Sequence, residues 1–127
     1  MKQNHKMTEI SPHSGIIKGH IHHFPLRVYY EDTDVGGVVY YANYLKFMER
    51  ARSEMLKVLG IDQRAMLDYN EPDDVSFVVR RAEIDFKQAA RFDDMLIVKT
   101  EIIKLGGASI VMKQIISKDG TTLVESI

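Results

Sequence analysis

The chain has 127 residues, no cysteine and a formal net charge of −1. These values exclude disulfides, thiolate metal sites and cysteine nucleophiles, and they leave no overall electrostatic case for nucleic acid or an anionic membrane surface. With 45% apolar and 28% charged residues, one globular domain with a real core is expected, and no run approaches the roughly 18 consecutive apolar residues of a spanning helix.

Residues 1–19 read as a mobile polar extension ahead of a folded domain over 20–127. The extension lacks the apolar run and small-residue cleavage site of a secretory leader. Together with the absence of cysteine, this fits a cytoplasmic setting. His20, His22 and His23 read as part of a polar tail, with a metal site as the alternative. Residues 24–30 alternate as a strand, with Leu26, Val28 and Tyr30 against Arg27 and Tyr29. Asp32 to Gly37 is a loop, and Gly36 and Gly37 permit a sharp reversal there.

A long helix follows. Tyr44, Phe47, Met48, Ala51, Met55, Val58 and Leu59 recur at helical spacing and form one apolar stripe. Gly60 suits the C′ position, with Ile61 making the hydrophobic contact of a Schellman end. Asp62 to Asp68 reads as a short second helix capped by Asp62, and Asn70 to Asp74 as a loop. Strands dominate thereafter: Val78 to Phe86, Met95 to Ile103, Ala108 to Ser117, and Thr121 onward. Gly106-Gly107 and Asp119-Gly120 mark the turns, the latter suiting type I′. The last strand reads as cut short at Ile127.

The order is strand, long helix, then four strands. It predicts an α+β fold in which one helix covers one face of an antiparallel sheet of about five strands. A lone helix leaves sheet edges uncovered, so self-association is expected.

Asp32-Thr33-Asp34 is the first chemical candidate. Aspartate and threonine both stabilise turns. A calcium loop does not fit, because the glycine is out of register and no bidentate glutamate follows at the required spacing. The functional alternative gives one aspartate a structural role and the other a catalytic one. Asp34, just ahead of the reversal, is the better catalyst, since the reversal can fold it over the unpaired N–H groups at the start of the helix. Glu49 and Glu54 read as solvated partners of Arg52 and Lys57. Tyr44, Met48 and Met55 suit an acyl pocket but are core residues first. Arg80, Arg81, Lys87 and Arg91 form a basic cluster that an anionic nucleotide would need, and equally an ordinary sheet face.

The run Tyr30-Glu31-Asp32-Thr33-Asp34, with Gly36-Gly37-Val38-Val39-Tyr40-Tyr41-Ala42-Asn43-Tyr44 and Glu49-Arg50-Ala51-Arg52-Ser53-Glu54, resembles the hot-dog-fold acyl-CoA thioesterases. The branch is the 4-hydroxybenzoyl-CoA thioesterase family, including its Tol-Pal-associated members. Weaker similarity continues through Val78 to Leu96, where Phe86-Lys87-Gln88-Ala89 stands in place of the family's aromatic-Lys-Pro-Ala. The resemblance implies a hot-dog fold with a long central helix wrapped by the sheet. It implies hydrolysis of an acyl-CoA thioester, with Asp34 as base or nucleophile and the backbone N–H of Tyr41 polarising the carbonyl. Tol-Pal-associated members often carry histidine at the Tyr41 position, and a backbone donor tolerates either residue. The candidate substrate-binding residues are Gly37, Val38, Arg81 and Lys87. No metal or separate cofactor is expected, coenzyme A being part of the substrate. A homodimer or homotetramer with interfacial active sites is implied, and an acyl carrier protein is a further candidate partner.

Elementary chemistry is consistent with so small a set of groups. A thioester expels a thiolate whose conjugate acid has a pKa of roughly 8.5 by analogy with cysteine. Such a leaving group needs little acid assistance, so one carboxylate, one oxyanion donor and a water suffice. A dehydratase of the same fold would need a core histidine, yet all five histidines precede or abut the first predicted strand. No Gly-x-Ser-x-Gly occurs, so a serine hydrolase is unsupported. The competing class is a non-catalytic scaffold that binds acyl-CoA or an acyl carrier protein.

Overall fold

The helix stripe organises the molecule. In the computed structural model, which describes residues 13–61, 79–107 and 109–127, α1 spans Asn43–Val58 and buries Tyr44, Phe47, Met48, Ala51, Met55 and Leu56. Leu56 joins the buried face, whereas Val58 and Leu59 are 40% and 49% exposed. The apolar face therefore stops one turn short of the expected stripe, because the chain is already turning away. The termination is the expected Schellman motif: the Gly60 N–H donates to the Lys57 carbonyl at 3.0 Å and the Ile61 N–H to the Leu56 carbonyl at 2.8 Å. Gly60 takes a φ of 83° to allow it.

The strands among the described residues are β1 (Ile16–Lys18), β2 (Ile21–Arg27), β3 (Ile84–Phe86), β4 (Met95–Leu105), β5 (Ile110–Lys118) and β6 (Thr121–Ser126). They form a six-stranded antiparallel sheet in the order β1-β2-β4-β5-β6-β3. α1 packs over β2 and β4. Leu96 and Val98 of β4, Ile116 of β5 and Val124 of β6 meet Phe47, Met48 and Ala51 in one core. This is the α+β hot-dog arrangement that the resemblance implied. No helix among the described residues is long and apolar enough to cross a membrane.

A buried polar link joins helix and sheet. Gln114 Nε2 donates to the Met48 carbonyl at 3.0 Å and to Thr100 Oγ1 at 3.1 Å, while Arg52 Nη1 donates to Gln114 Oε1 at 3.0 Å. Burial pulls the Arg52 pKa below its ordinary value, and the charge of Glu49 opposes that.

Several boundaries differ from expectation. The first predicted strand, 24–30, shifts back to Ile21–Arg27, because Tyr30–Asp32 coil into a 3-10 turn. Asp32 Oδ2 accepts the Tyr29 N–H at 2.8 Å, which draws the chain out of extended geometry. Ile16–Lys18, placed by sequence in the mobile extension over 1–19, instead pairs with β2 through a turn at Gly19 and His20. Residues 1–12 lie outside the described residues, as do the helix expected over Asp62 to Asp68 and the loop expected over Asn70 to Asp74.

Of the strand expected over Val78 to Phe86, Val78 lies outside the described residues, and the described part is strand over Ile84–Phe86. The described residues just before it are exposed coil, and Glu83 exchanges two backbone bonds with Ile127, at 2.8 and 3.0 Å. β6 lies between β5 and β3, so the last strand is an interior strand and not an unpaired edge. The β5–β6 turn has Asp119 and Gly120 at φ values of 49° and 82°, as a type I′ turn requires.

Candidate active site

Asp32 and Asp34 have divided their roles by geometry. Asp32 is buried, and its carboxylate holds Tyr29. Its carbonyl accepts two donors from the far side of the loop, the Tyr40 N–H at 3.1 Å and Asn43 Nδ2 at 2.8 Å. The loop base is thereby fastened to the first residue of α1.

Asp34 is exposed at the tip. Its carbonyl accepts the Gly37 N–H at 3.1 Å across the reversal, with Gly37 at a φ of 77°. Asp34 Oδ1 accepts the Gly36 N–H at 2.8 Å and the Val38 N–H at 3.4 Å. Oδ2 accepts no hydrogen bond among the described residues. One oxygen therefore holds the turn and the other is available.

The start of α1 supplies the second element. The N-cap, Ala42, has no side-chain cap. The amides of Asn43, Tyr44 and Leu45 donate to the carbonyls of Tyr40, Tyr41 and Ala42. Among the described residues the Tyr41 and Ala42 amides donate to nothing. Unpaired N–H groups at this end carry the partial positive charge of the helix.

Beside them lies a groove of about 230 Å³ lined by Val39, Tyr41, Tyr44, Phe86, Lys87, Gln88 and Ala89. Its rings meet edge-on or tilted: Tyr41 lies 6.1 Å from Phe86, and Tyr44 5.7 Å from Phe86. The Lys87 ammonium stands 3.4 Å from Asp85 and 3.9 Å from Glu125.

Two phenols here resist ionisation. Burial raises the Tyr44 pKa above its ordinary value; the Ala90 hydrogen bond opposes this and the charge of Asp94 adds to it. Tyr40 is raised by its neighbour Tyr41, through hydroxyl pairing first and then charge. Both stay neutral at ordinary pH.

Of the residues singled out from sequence, the fold gathers Tyr41 and Lys87 at one groove, with Gly37 and Val38 on the adjoining loop arm. Gly37 gives its carbonyl to the Phe92 N–H at 3.0 Å, and Val38 bridges Arg91. Asp34 lines neither this groove nor the larger one of about 440 Å³ on the opposite sheet face. Arg81 stands apart, exposed and paired with Glu83 at 2.8 Å. The three histidines are separated: His20 lies in the turn before β2 beside Glu101, buried His22 sits on the helix face with its Nε2 against the Ser14 carbonyl, and strand alternation points His23 to the other face. Among the described residues no group of three His, Asp or Glu side chains gathers as a metal set.

Sequence reasoning noted Gln88 and Ala89 only as a departure from the resembled motif and gave the segment Gln88–Ala90 no role. Gln88 occupies the proline position of the resembled motif, and its N–H joins that of Lys87 on the Leu123 carbonyl, at 3.1 and 2.8 Å. A proline there would have no hydrogen to give, so the departure was the available signal.

Comparison with known proteins agrees with this fold. A family model described as the thioesterase superfamily matches residues 36–125. The acyl-CoA thioesterase YbgC of Haemophilus influenzae is 50% identical over 91 residues, covering 72% of this chain and 65% of that protein. The acyl-CoA thioester hydrolase YbgC of Escherichia coli is 46% identical over 104 residues, covering 81% of this chain and 75% of that protein. The chain thus spans just under two thirds of the first relative and three quarters of the second. Among solved structures, a probable thioesterase from Bartonella henselae superposes with a TM-score of 0.78 at 42% identity, covering 84% of this chain and 86% of that one.

Proposed function

Because the chain belongs to the thioesterase superfamily, we propose that it hydrolyses an acyl-CoA thioester to the free acid and coenzyme A. The observation that carries this reading is the uncommitted Tyr41 amide at the start of α1, opening beside an aromatic groove on the same loop–helix unit as Asp34. The thioester carbonyl oxygen takes the Tyr41 N–H, which stabilises the negative charge that develops there. The free oxygen of Asp34 either removes a proton from the attacking water or adds to the carbonyl to form an anhydride that water then opens. The coenzyme A thiolate departs in either case, and neither route calls on a metal.

Gly37 and Val38 border the acyl group, and Lys87 and Arg81 meet the coenzyme A phosphates. A second copy completes the site in a homodimer or homotetramer. The exposed rings of Tyr29, Tyr30, Tyr40, Phe86 and Phe92 around the loop support such a contact. The setting we propose is the cytoplasm.

One observation favours a binding scaffold for acyl-CoA or an acyl carrier protein instead: Asp34 Oδ1 is engaged in its own turn. Free-thiol release measured over a panel of acyl-CoA substrates decides between the two. The hydrolase reading expects release by the wild type and near-complete loss in a folded Asp34→Asn variant. Binding of acyl-CoA with no thiol released selects the scaffold.

A further inference from the structure

We propose that Tyr44 is a positioning residue for the reaction assigned above, holding the Asp34 loop in register with the Tyr41 amide through its hydroxyl. The inference rests on that assignment. Tyr44 is 3% exposed, and its ring is wedged between Phe47 and Phe86, 6.0 and 5.7 Å away. Its hydroxyl accepts the N–H of Ala90 at 2.9 Å, a buried bond between residues 46 apart in sequence.

Ala90 transmits that bond to the loop. Its carbonyl accepts the Val39 N–H at 2.8 Å, and two residues on, the Phe92 N–H donates to the Gly37 carbonyl at 3.0 Å. Val38, between them, donates to Asp34 Oδ1 at 3.4 Å and accepts the Asp34 N–H at 2.9 Å. Gly37, Val38 and Val39 together are thus tied on one side to the Ala90–Phe92 segment and on the other to Asp34. The other end of the linkage is the helix itself, where the Tyr44 N–H donates to the Tyr41 carbonyl at 3.3 Å. No hydrogen bond among the described residues joins Asp34 to Tyr41 directly; the Asp32 carbonyl ties the loop base to Tyr40 and Asn43, and the Tyr44–Ala90–Val39 path ties the far arm of the loop.

Loss of the hydroxyl leaves the Ala90 N–H buried without an acceptor. Its peptide then turns to find a partner, and the Val39 bond loosens with it. Phenylalanine keeps the ring contacts, so the core survives. Burial keeps the phenol neutral, so its oxygen stays a hydroxyl that accepts the Ala90 N–H.

The test compares wild type, Tyr44→Phe and Ile116→Val, the last trimming the core at a residue away from the loop. Thiol release is followed for kcat and KM across pH, and amide hydrogen exchange for Val39 and Ala90. Tyr44→Phe is expected to lower kcat by about 10- to 100-fold, as small misplacements of reacting groups do. KM should stay within about threefold and the pH profile should keep its shape, while the two amides exchange faster. Ile116→Val should lower the melting temperature and leave kcat alone. Wild-type release together with an unaltered Tyr44→Phe kcat overturns this proposal alone. So does an equal kcat loss in Ile116→Val, or unchanged exchange at Val39. Absence of wild-type release overturns both this proposal and the hydrolase assignment.

Discussion

Lys118 Nζ and Asp94 Oδ1 lie 2.9 Å apart, joining the end of β5 to the turn that opens β4. The other oxygen, Asp94 Oδ2, accepts the Arg91 N–H at 2.8 Å, and the Asp94 carbonyl accepts the Val28 N–H at 2.9 Å. Burial pushes the Asp94 carboxyl upward, but the Lys118 hydrogen bond, the Arg91 N–H and the charges of both cations outweigh it, and its pKa falls below the ordinary value.

That shift has a sign. A carboxylate that binds its proton less readily when folded stabilises the protein at every pH above the unfolded value, about 3.9. The contribution fades as pH drops from there through the lower folded value. Urea titrations of wild type and Asp94→Asn should differ by about 1 kcal/mol at neutral pH, a figure held down because Lys118 is 43% exposed. The two curves should converge in strong acid. A constant difference down to the lowest pH would show that the Asp94 charge contributes nothing.

At position 34, the two obvious substitutions should part company. Asparagine retains an oxygen for the Gly36 and Val38 amides, so the turn stays while the charge disappears. We expect Asp34→Asn to keep its unfolding midpoint and lose on the order of 10²- to 10⁴-fold in turnover. Asp34→Ala removes the acceptor too and should cost about 1 kcal/mol of stability in addition. Equal turnover in wild type and Asp34→Asn would remove the carboxylate from the chemistry.

The Tyr41 prediction concerns a backbone atom. Side-chain replacement by phenylalanine or histidine should leave turnover within about tenfold, since the amide is untouched. Tyr41→Pro deletes the N–H and should lower kcat by about 10²- to 10³-fold. Circular dichroism would show α1 intact, because the deleted N–H has no intrahelical acceptor. Full activity in the proline variant would exclude this amide as the oxyanion donor.

Asp32 should behave as a stability residue. Asp32→Ala leaves the Tyr29 N–H without its acceptor and empties a buried position, at a cost of about 1–3 kcal/mol. Asp32→Asn retains an acceptor and should lose less. Denaturant midpoints check both. A neutral alanine variant would mean that the 3-10 turn at Tyr30–Asp32 stands without the bond.

Much of this arrangement was already present in local patterns. The apolar spacing from Tyr44 to Met55 specified α1, Gly60 its end and Asp119-Gly120 the last hairpin, because each depends on neighbours within a turn or two. The same locality explains the errors. Val28 to Tyr30 continues the alternation of the strand, but the side chain of Asp32 takes the Tyr29 amide and the chain coils at Tyr30. Ile16–Lys18 looks like tail until β2 offers it a partner.

The division of labour between Asp32 and Asp34 is of another kind, as is the pairing of Tyr44 with Ala90. Both aspartates have the same side chain in a five-residue window, and Tyr44 reads as one more core ring. The amides on the two carboxylates are local, at Tyr29, Gly36 and Val38, but Asp32 is buried and Asp34 left exposed by the closed loop, and Tyr44 meets an amide from the β3–β4 connection. Hydrogen bonds act over about 3 Å in space and take no account of separation along the chain. Periodicity and local turn chemistry could therefore place these residues on a loop and a helix, while only the closed sheet buried Asp32, left Asp34 exposed and brought the Ala90 amide to the Tyr44 hydroxyl.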